Sequence, residues 1–243
     1  MAEKKEKLFE MFPPVTTEEW RAKVDADLKG VPFEKKLVWR TNEGFNVNPM
    51  YRKEDIENLK TTNSLPGEYP YLRGTRTDND WLVRQEIIAD TPAAANEKAL
   101  EVLTKGVTSL GFCVAEAADV AILLKGIDLS KTEINLTCCP RKAIEVAKAL
   151  VACVKEAGAA DTFRGSVDYN PLRRTLRHGG EAPVATDIAA SAKELLAAVA
   201  EVKNLRVLAV DSVMFNNAGA YIYQELGYAL AWGAEWLTML TDA

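Results

Sequence analysis

The chain has 243 residues, of which 48% are hydrophobic and 27% are charged, and its formal net charge at pH 7 is -5. This length and apolar content can supply a substantial core, so we predict a globular chain. The acidic balance and a pI near 5.2 argue against nucleic-acid binding, which usually requires a basic stripe on the surface. The sequence has no signal-peptide pattern and no apolar run long enough to span a bilayer, which predicts a cytoplasmic protein without a membrane partner.

Composition divides the chain near Asn79, because proline, aromatic and charged residues dominate before it and alanine, valine and leucine dominate after it. We therefore predict an N-terminal arm over 1–79 and a separate domain over 80–243. In the arm, Thr16 followed by acidic residues predicts a helix that ends near Leu28. A hairpin formed by Leu37–Trp39 and Phe45–Val47 and a short helix at Arg52–Leu59 are also predicted in the arm.

From Trp81 onward, short apolar runs alternate with alanine-rich helical stretches. Strands are predicted at Leu82–Ala89, Val107–Val114, Glu133–Cys138, Thr162–Val167 and Arg206–Asp211. Helices are predicted at Pro92–Lys105, Glu116–Lys125, Arg141–Ala157, Thr186–Val202 and Ala218–Leu240. Five strand–helix units in succession imply parallel strands joined by right-handed crossovers, so the predicted fold class is α/β.

Two α/β architectures remain open from this pattern. A doubly wound sheet could close with five strands, but no strand is followed by a glycine-rich phosphate loop of the GxGxxG or GxxxxGK type. A (β/α)8 barrel needs eight units and roughly 250 residues, whereas the repeat starts near residue 81 and only five units follow. A barrel would therefore be incomplete, which suggests that the sequence ends at a fragment boundary.

Cysteine and histidine residues restrict the chemistry that the sequence can support. The four cysteines form no CxxC pair and lie among apolar neighbours, so we expect buried thiols in a reducing compartment. They are Cys113, Cys138, Cys139 and Cys153. His178, the one histidine, has no partner at a zinc-like spacing, so no metal site is predicted. It follows the fourth predicted strand in what we expect to be a loop, where a solvated role is favoured over a functional one.

The segment Pro66–Gln85, with sequence PGEYPYLRGTRTDNDWLVRQ, combines aromatic and cationic side chains more densely than ordinary loops do. These side chains could bind a ligand, or they could pack a connecting arm with their arginines paired to local carboxylates. Residue types alone favour the second interpretation. Polar residues at the ends of the last two strands are best placed to face a barrel mouth, but they combine into no convincing mechanism. They are Asp168, Tyr169, Asn170, Asp211 and Ser212.

Several motifs of the sequence occur in the same order in a known family. They are WRTNEGFNV at Trp39–Val47, PMY at Pro49–Tyr51, Pro66-Gly67, Pro70-Tyr71, Arg73-Gly74, WLVRQ at Trp81–Gln85, NAGA at Asn217–Ala220, Gln224-Glu225-Leu226 and Ala229-Leu230. With these motifs the chain resembles the methylmalonyl-CoA mutases over most of its length. The resemblance implies an N-terminal arm, a CoA-binding (β/α)8 barrel, a C-terminal cobalamin-binding domain, and an adenosylcobalamin-dependent radical isomerisation between succinyl-CoA and methylmalonyl-CoA.

The resemblance also decides between the two architectures. We predict an α/β fold consisting of a partial (β/α)8 TIM-type barrel of about five βα units, preceded by the N-terminal arm. The arm is expected to contact another subunit, and the barrel to be cut before its remaining units and the cobalamin-binding-type domain. The first and fifth strands would each expose an unpaired edge, which predicts self-association of the isolated fragment.

Departures from the family pattern fall at its substrate contacts. The segment Thr75–Asp80 is shorter than in catalytic chains and lacks their TMY tyrosine. Met214 stands where those chains carry a histidine that binds the acyl carbonyl, and methionine cannot donate a hydrogen bond to it. The family's substrate glutamine falls on Asp168, and its carboxylate-binding arginine falls on or near His178. Each change removes a contact that would hold the substrate fixed for radical chemistry.

These departures make the chain resemble the small, non-catalytic subunit of heterodimeric mutases. No catalytic residue is then expected, and adenosylcobalamin would be bound by the large subunit, because the DxHxxG motif is missing around His178. Vestigial CoA or substrate contacts are predicted at Tyr71, Arg73, Arg84, Gln85, Asp168, His178 and Met214. Two alternatives stay open, namely a catalytically active acyl-CoA mutase barrel and an unrelated stand-alone α/β binding protein.

Overall fold

The computed structural model describes residue 9 and residues 11–181 and 184–241, without the side chains of Arg174, Arg177 and His178. Contacts divide the chain into two compact units, Met1–Asp78 and Asn79–Ala243. Within the described ranges, no helix is both long enough and apolar enough to cross a membrane.

The first helix of the N-terminal unit, α1 (Thr17–Asp27), begins at the predicted N-cap. The Thr16 hydroxyl accepts a hydrogen bond from the backbone N–H of Glu19 at 3.2 Å, and the Glu19 carboxylate accepts one from the Thr16 N–H at 2.8 Å. This reciprocal pairing satisfies two backbone donors that an uncapped helix would leave without partners. The prediction of a helix start at Thr16 is therefore confirmed.

Short elements make up the remainder of the N-terminal unit. They are α2 (Phe33–Lys36), β1 (Trp39–Arg40), β2 (Asn46–Val47) and α3 (Lys53–Ile56). Strands β1 and β2 pair antiparallel, as the predicted hairpin requires. Helix α2 has no counterpart in the prediction, because four residues are too few to show a helical period. Its buried Phe33 packs against the edge of the Trp20 ring, and the Arg21 guanidinium lies 3.8 Å from the Phe33 ring centre.

The second unit alternates strands with helices. Its strands are β3 (Arg84–Ile87), β4 (Ser109–Val114), β5 (Glu133–Cys138), β6 (Gly165–Tyr169) and β7 (Leu205–Leu208). Its helices are α4 (Pro92–Leu103), α5 (Asp119–Leu123), α6 (Ala143–Glu156), α7 (Arg173–His178), α8 (Ala185–Val199), α9 (Val213–Asn217) and α10 (Ile222–Thr241). All five predicted strands and the five predicted long helices are present, with ends that differ by a few residues. The predicted α/β class is confirmed.

The five strands form one parallel sheet in the order β3-β4-β5-β6-β7. Each strand pairs with the next one in the chain, so the order contains no reversal of the kind that defines a doubly wound sheet. This sequential order is the one that a partial (β/α)8 barrel requires. Within the described residues, β3 and β7 each have a neighbouring strand on one side only. The self-association predicted from such edges stays a prediction.

The two faces of the sheet differ in chemistry, because successive side chains on a strand point to opposite sides. One face, called here the apolar face, packs beneath the helices and is formed mainly by Ile87, Leu110, Phe112, Val114, Ile134, Leu136, Val167, Leu205 and Val207. The other, called here the polar face, carries Arg84, Glu86, Ser109, Gly111, Cys113, Glu133, Asn135, Thr137, Ser166, Asp168 and Arg206. The sheet is therefore one-sided in its packing.

Two expectations from the sequence are wrong. The cysteines are free but not all buried, since Cys113 and Cys139 are exposed and only Cys138 and Cys153 are partly covered. Cys113 is exposed because the alternation of β4 directs it to the polar face, which a list of apolar neighbours in sequence does not reveal. His178 does not lie in a loop, because the backbone from Arg173 forms the short helix α7, which His178 ends.

Candidate functional site

The polar face is organised around the carboxylate of Glu133, which is almost fully buried at the start of β5. Ser109 Oγ donates a hydrogen bond to Glu133 Oε2 at 2.7 Å, and Arg206 Nη2 lies 2.9 Å from Glu133 Oε1. Burial alone would raise the pKa of the Glu133 carboxyl. Hydrogen bonds from Ser109 and Asn135 and the charges of Arg206 and Arg84 outweigh burial and lower this pKa.

Asn135 extends this network along the sheet. Its Nδ2 donates to Ser109 Oγ at 3.1 Å, and its Oδ1 accepts a hydrogen bond from Ser166 Oγ at 2.9 Å. Side chains from four adjacent strands are thus joined by hydrogen bonds and an ion pair on one face. Because most buried polar groups here have partners, the network removes the desolvation cost of placing them inside a fold.

An open cleft of about 820 Å³ lies over the polar face. Residues lining it include Arg84 and Glu86 from the first strand of the sheet and Asp211 and Met214 from the segment after the last strand. Edge strands of a flat five-stranded sheet would lie roughly 19 Å apart, at about 4.8 Å per strand, too far to line one cleft with these side chains. The shared cleft is consistent with a curved sheet, as a partial barrel requires.

Arg84 does not present a free cation to this cleft. Its Nε and Nη2 atoms lie 2.8 Å and 2.6 Å from Oε1 of Glu86. The two side chains share a face because they are two residues apart on β3. They retain 45% and 57% of their exposure, so the pair is of the solvent-screened kind that adds roughly 0–1 kcal/mol to stability. Its main consequence is to neutralise the guanidinium.

Asp168 lies at the end of β6, in the same charged neighbourhood. Burial raises the pKa of its carboxyl above the ordinary value, although the charges of Arg84 and Arg173 and the nearby Ser166 hydroxyl act in the opposite direction. The charge of Asp211 adds to the increase. Asp168 therefore interacts with three of the charged groups that line the cleft.

Met214 lies in α9 and lines the cleft with its neighbours Val213 and Asn217. A thioether is a weak acceptor and has no proton to donate, so Met214 cannot polarise a carbonyl group. The side chain also packs against the hydrophobic core of the second unit. Met214 therefore contributes an apolar wall to the cleft and no hydrogen-bond donor.

The remaining predicted contacts lie on the other face of the sheet, in the other unit, or outside the described side chains. Gln85 pairs in register with Leu110 on the apolar face, so the sheet separates its side chain from that of Arg84. Tyr71 and Arg73 belong to the N-terminal unit, where Arg73 Nη1 donates to the Ser64 carbonyl at 3.2 Å. The side chain of His178 lies outside the described part of the structure. The assignment of all seven positions as vestigial contacts stays a prediction.

Sequence reasoning missed Glu86, which lines the cleft, and Gly111, which lies against the Glu86 side chain. Glu86 immediately follows the WLVRQ motif, and an alternating strand predicts that it shares a face with Arg84. This signal was present in the sequence. Gly111 carried no such signal, because its place opposite Glu86 depends on the register of β3 and β4.

The sequential strand order and the polar cleft define an α/β protein built on part of a βα barrel. Residues 40–112 and 107–243 match the methylmalonyl-CoA mutase family, and the chain belongs to this family. The alternative of an unrelated α/β binding protein is therefore excluded.

Three relatives show how similar the chain is to individual methylmalonyl-CoA mutase subunits. The chain is 54% identical to the methylmalonyl-CoA mutase small subunit of Porphyromonas gingivalis, with 100% of this chain and 40% of the relative covered. It is 30% identical to the small subunit from Streptomyces virginiae, covering 95% of this chain and 39% of that protein. It is 25% identical to the large subunit from Streptomyces virginiae, covering 93% and 35%. The chain thus spans about 40% of the length of the curated relatives it matches.

Proposed function

We propose that this chain acts within the small subunit of a methylmalonyl-CoA mutase, pairs with a catalytic large subunit, and does not itself interconvert succinyl-CoA and methylmalonyl-CoA. Its 54% identity to the Porphyromonas gingivalis small subunit supports the subunit assignment. The two Streptomyces virginiae subunits support the same assignment, because the chain is 30% identical to the small subunit and 25% identical to the large one.

The observation that carries the non-catalytic role is the composition of the cleft. Arg84 is neutralised by Glu86, and Met214 offers no hydrogen to an acyl carbonyl. A radical rearrangement requires a substrate that is held in a fixed position, and charged or donating groups are the means by which proteins hold an acyl group. The described lining also includes Arg173 and Asn217, but at the predicted contact positions Arg84 and Met214 it provides a self-neutralised cation and an apolar wall.

Adenosylcobalamin supplies the radical chemistry of the reaction when it is bound. The described residues that line the cleft include no imidazole to serve as an axial ligand, and Leu176 and Glu181 stand where a DxHxxG motif would need Asp and Gly around His178. These residues do not fit the cofactor. We therefore assign adenosylcobalamin to the large subunit and derive no step through it in this chain.

The N-terminal unit is our candidate for the contact with the large subunit. Tyr69 is 87% exposed and stacks edge to face with the half-exposed Tyr71, with ring centres 6.0 Å apart. Exposed tyrosines of this kind are enriched in protein interfaces, because they combine a large apolar ring with a hydrogen-bonding group. Trp20, another aromatic residue of this unit, is a weaker candidate, because its ring packs against Phe33.

Turnover measurements on separated subunits test the proposed function. We would purify the full chain and a methylmalonyl-CoA mutase large subunit separately, and measure adenosylcobalamin-dependent conversion of succinyl-CoA by each protein and by the mixture. We expect no turnover by the full chain alone, and turnover by the mixture together with a 1:1 complex in sedimentation. Turnover by the full chain alone would reject the proposal in favour of a catalytically active mutase barrel.

A further inference from the structure

The ion pair in the cleft occupies two of the N–H donors with which the Arg84 guanidinium could bind a carboxylate. Nε and Nη2 of Arg84 both contact the same oxygen of Glu86, Oε1, at 2.8 Å and 2.6 Å. These two nitrogens form one edge of the planar guanidinium, and carboxylates bind arginine through such an edge. Glu86 therefore fills the position that the carboxylate of a small molecule would take on Arg84.

Gly111 provides the space in which the Glu86 side chain lies. It sits opposite Glu86 in the pairing of β3 with β4. A methyl group at position 111 would overlap all three atoms of the Glu86 carboxylate group. The overlap involves the end of a flexible side chain and not the backbone, and Gly111 does not have a left-handed φ. An alanine at 111 would therefore displace the carboxylate while the strand keeps its conformation.

The other charged groups around the cleft do not replace Glu86 in this role. Asp168 and Asp211 are further carboxyl groups of the neighbourhood, and Arg173 is a second cation. Only Glu86 has a direct ion pair with Arg84 among the described contacts of this guanidinium. Because Glu86 is on the same strand, its local concentration at Arg84 is far above that of any dissolved carboxylate.

We propose that Glu86 is a specificity-determining residue that excludes small-molecule carboxylates from the cleft by occupying Arg84. Gly111 makes this possible, because the absence of a side chain at 111 leaves room for the Glu86 carboxylate beside Arg84. The excluded ligands are small mono- and dicarboxylates and carboxylate-terminated acyl groups. The inference concerns equilibrium binding by this chain, so it can fail while the proposed non-catalytic role stands, and the reverse is also true.

Calorimetric titration of succinate into variants of the full chain tests this inference. Glu86→Gln keeps the shape of the side chain and removes its charge, and we expect it to tighten succinate binding by about twofold to fivefold relative to the unsubstituted chain, which is the range that an exposed ion pair of up to about 1 kcal/mol allows. Gly111→Ala changes no charge, and we expect it to tighten binding in the same direction by displacing Glu86. Succinamide, which has the shape of succinate without its charge, should bind all variants equally weakly.

A matched control separates the local effect from a change in net charge. Glu101, on α4, forms an exposed ion pair with Lys105, which follows the helix, and neither residue lines the cleft. Glu101→Gln therefore removes one negative charge and one exposed ion pair away from the site. We expect Glu101→Gln to leave succinate binding unchanged. The double variant Arg84→Gln/Glu86→Gln should lose the gain that Glu86→Gln produces.

Two results would overturn the inference. One is that neither Glu86→Gln nor Gly111→Ala binds succinate more tightly than the unsubstituted chain does. The other is that the gain of Glu86→Gln persists when Arg84 is also replaced, because succinate would then be bound by a different group. Circular dichroism of each variant verifies that the fold is retained, and the isosteric Glu86→Gln keeps the test valid if Gly111→Ala fails to fold.

Discussion

The two faces of the five-stranded sheet are built from the same strands but bury different kinds of side chain. On the apolar face, Ile134 and Leu136 are completely buried beneath helices. On the polar face, the neighbouring residues Glu133 and Asn135 are nearly as buried, but they are held by hydrogen bonds and an ion pair. Barrel interiors are usually filled by bulky branched side chains. The comparison teaches that this chain has separated the face that stabilises the fold from the face that carries its charged groups.

Under the proposed non-catalytic role, this separation would allow the cleft to lose catalytic contacts without loss of the fold. The hydrophobic contribution to stability comes from area removed from water on the apolar face, and charges on the opposite face do not reduce it. Glu86 and Arg84 are about half exposed, so their pairing is nearly neutral in stability. A substitution at such a position can change binding while folding is preserved.

The largest expected effect comes from the apolar face. Leu136→Ala should lower the free energy of unfolding by about 2–5 kcal/mol, because it leaves a cavity in a site from which water is excluded. Urea unfolding followed by circular dichroism measures the change. The adjacent Thr137→Ala on the polar face is the control, with an expected loss below about 1 kcal/mol. Equal losses at the two positions would contradict the division between the faces.

A smaller effect is expected from the charge of Glu133. Glu133→Gln should cost about 1–2 kcal/mol at neutral pH, since it weakens the hydrogen bond from Ser109 and leaves Arg206 without its counter-ion. The folded state lowers the pKa of Glu133 below its ordinary value of 4.5. The stabilisation is therefore fully present above pH 4.5 and is lost as the pH falls through the lower pKa of the folded state.

The pH dependence of the Glu133 contribution is measured as the difference in unfolding free energy between the unsubstituted chain and Glu133→Gln. Urea unfolding of the unsubstituted chain and of Glu133→Gln should give free energies that differ at pH 7 and converge as the medium is acidified below pH 4.5. The subtraction removes the contributions of the other carboxyl groups, which titrate in both proteins. A difference that does not change with pH would mean that the Glu133 charge is not stabilised by the polar face.

The strand–helix alternation could be predicted from sequence because its signals are local. The span of β5, Glu133–Cys138, agrees with the prediction at both ends, since β-branched and apolar residues form a short run. The helix start at Thr16 is equally local, because a cap depends on residues three positions apart. Helices α7 and α9 were missed, because five or six residues give too few repeats of the helical period.

The cleft could be predicted only in part, because it depends on contacts between distant segments. Arg84, Asp168 and Met214 were identified through the family pattern, and the structure brings all three to one charged neighbourhood. Gln85 was grouped with Arg84 by adjacency in sequence, whereas the alternation of β3 puts it on the other face. Gly111 lies 25 positions from Glu86 in sequence, and only the strand register relates the two.

The stoichiometry of substrate binding in the assembled enzyme tests the central claim most directly. Equilibrium dialysis of succinyl-CoA against the complex of the full chain with a large subunit measures the number of molecules bound per pair. The paired state of Arg84 and the apolar wall at Met214 predict one molecule, bound by the large subunit. Two molecules per pair would contradict the account, because this chain would then hold substrate as well.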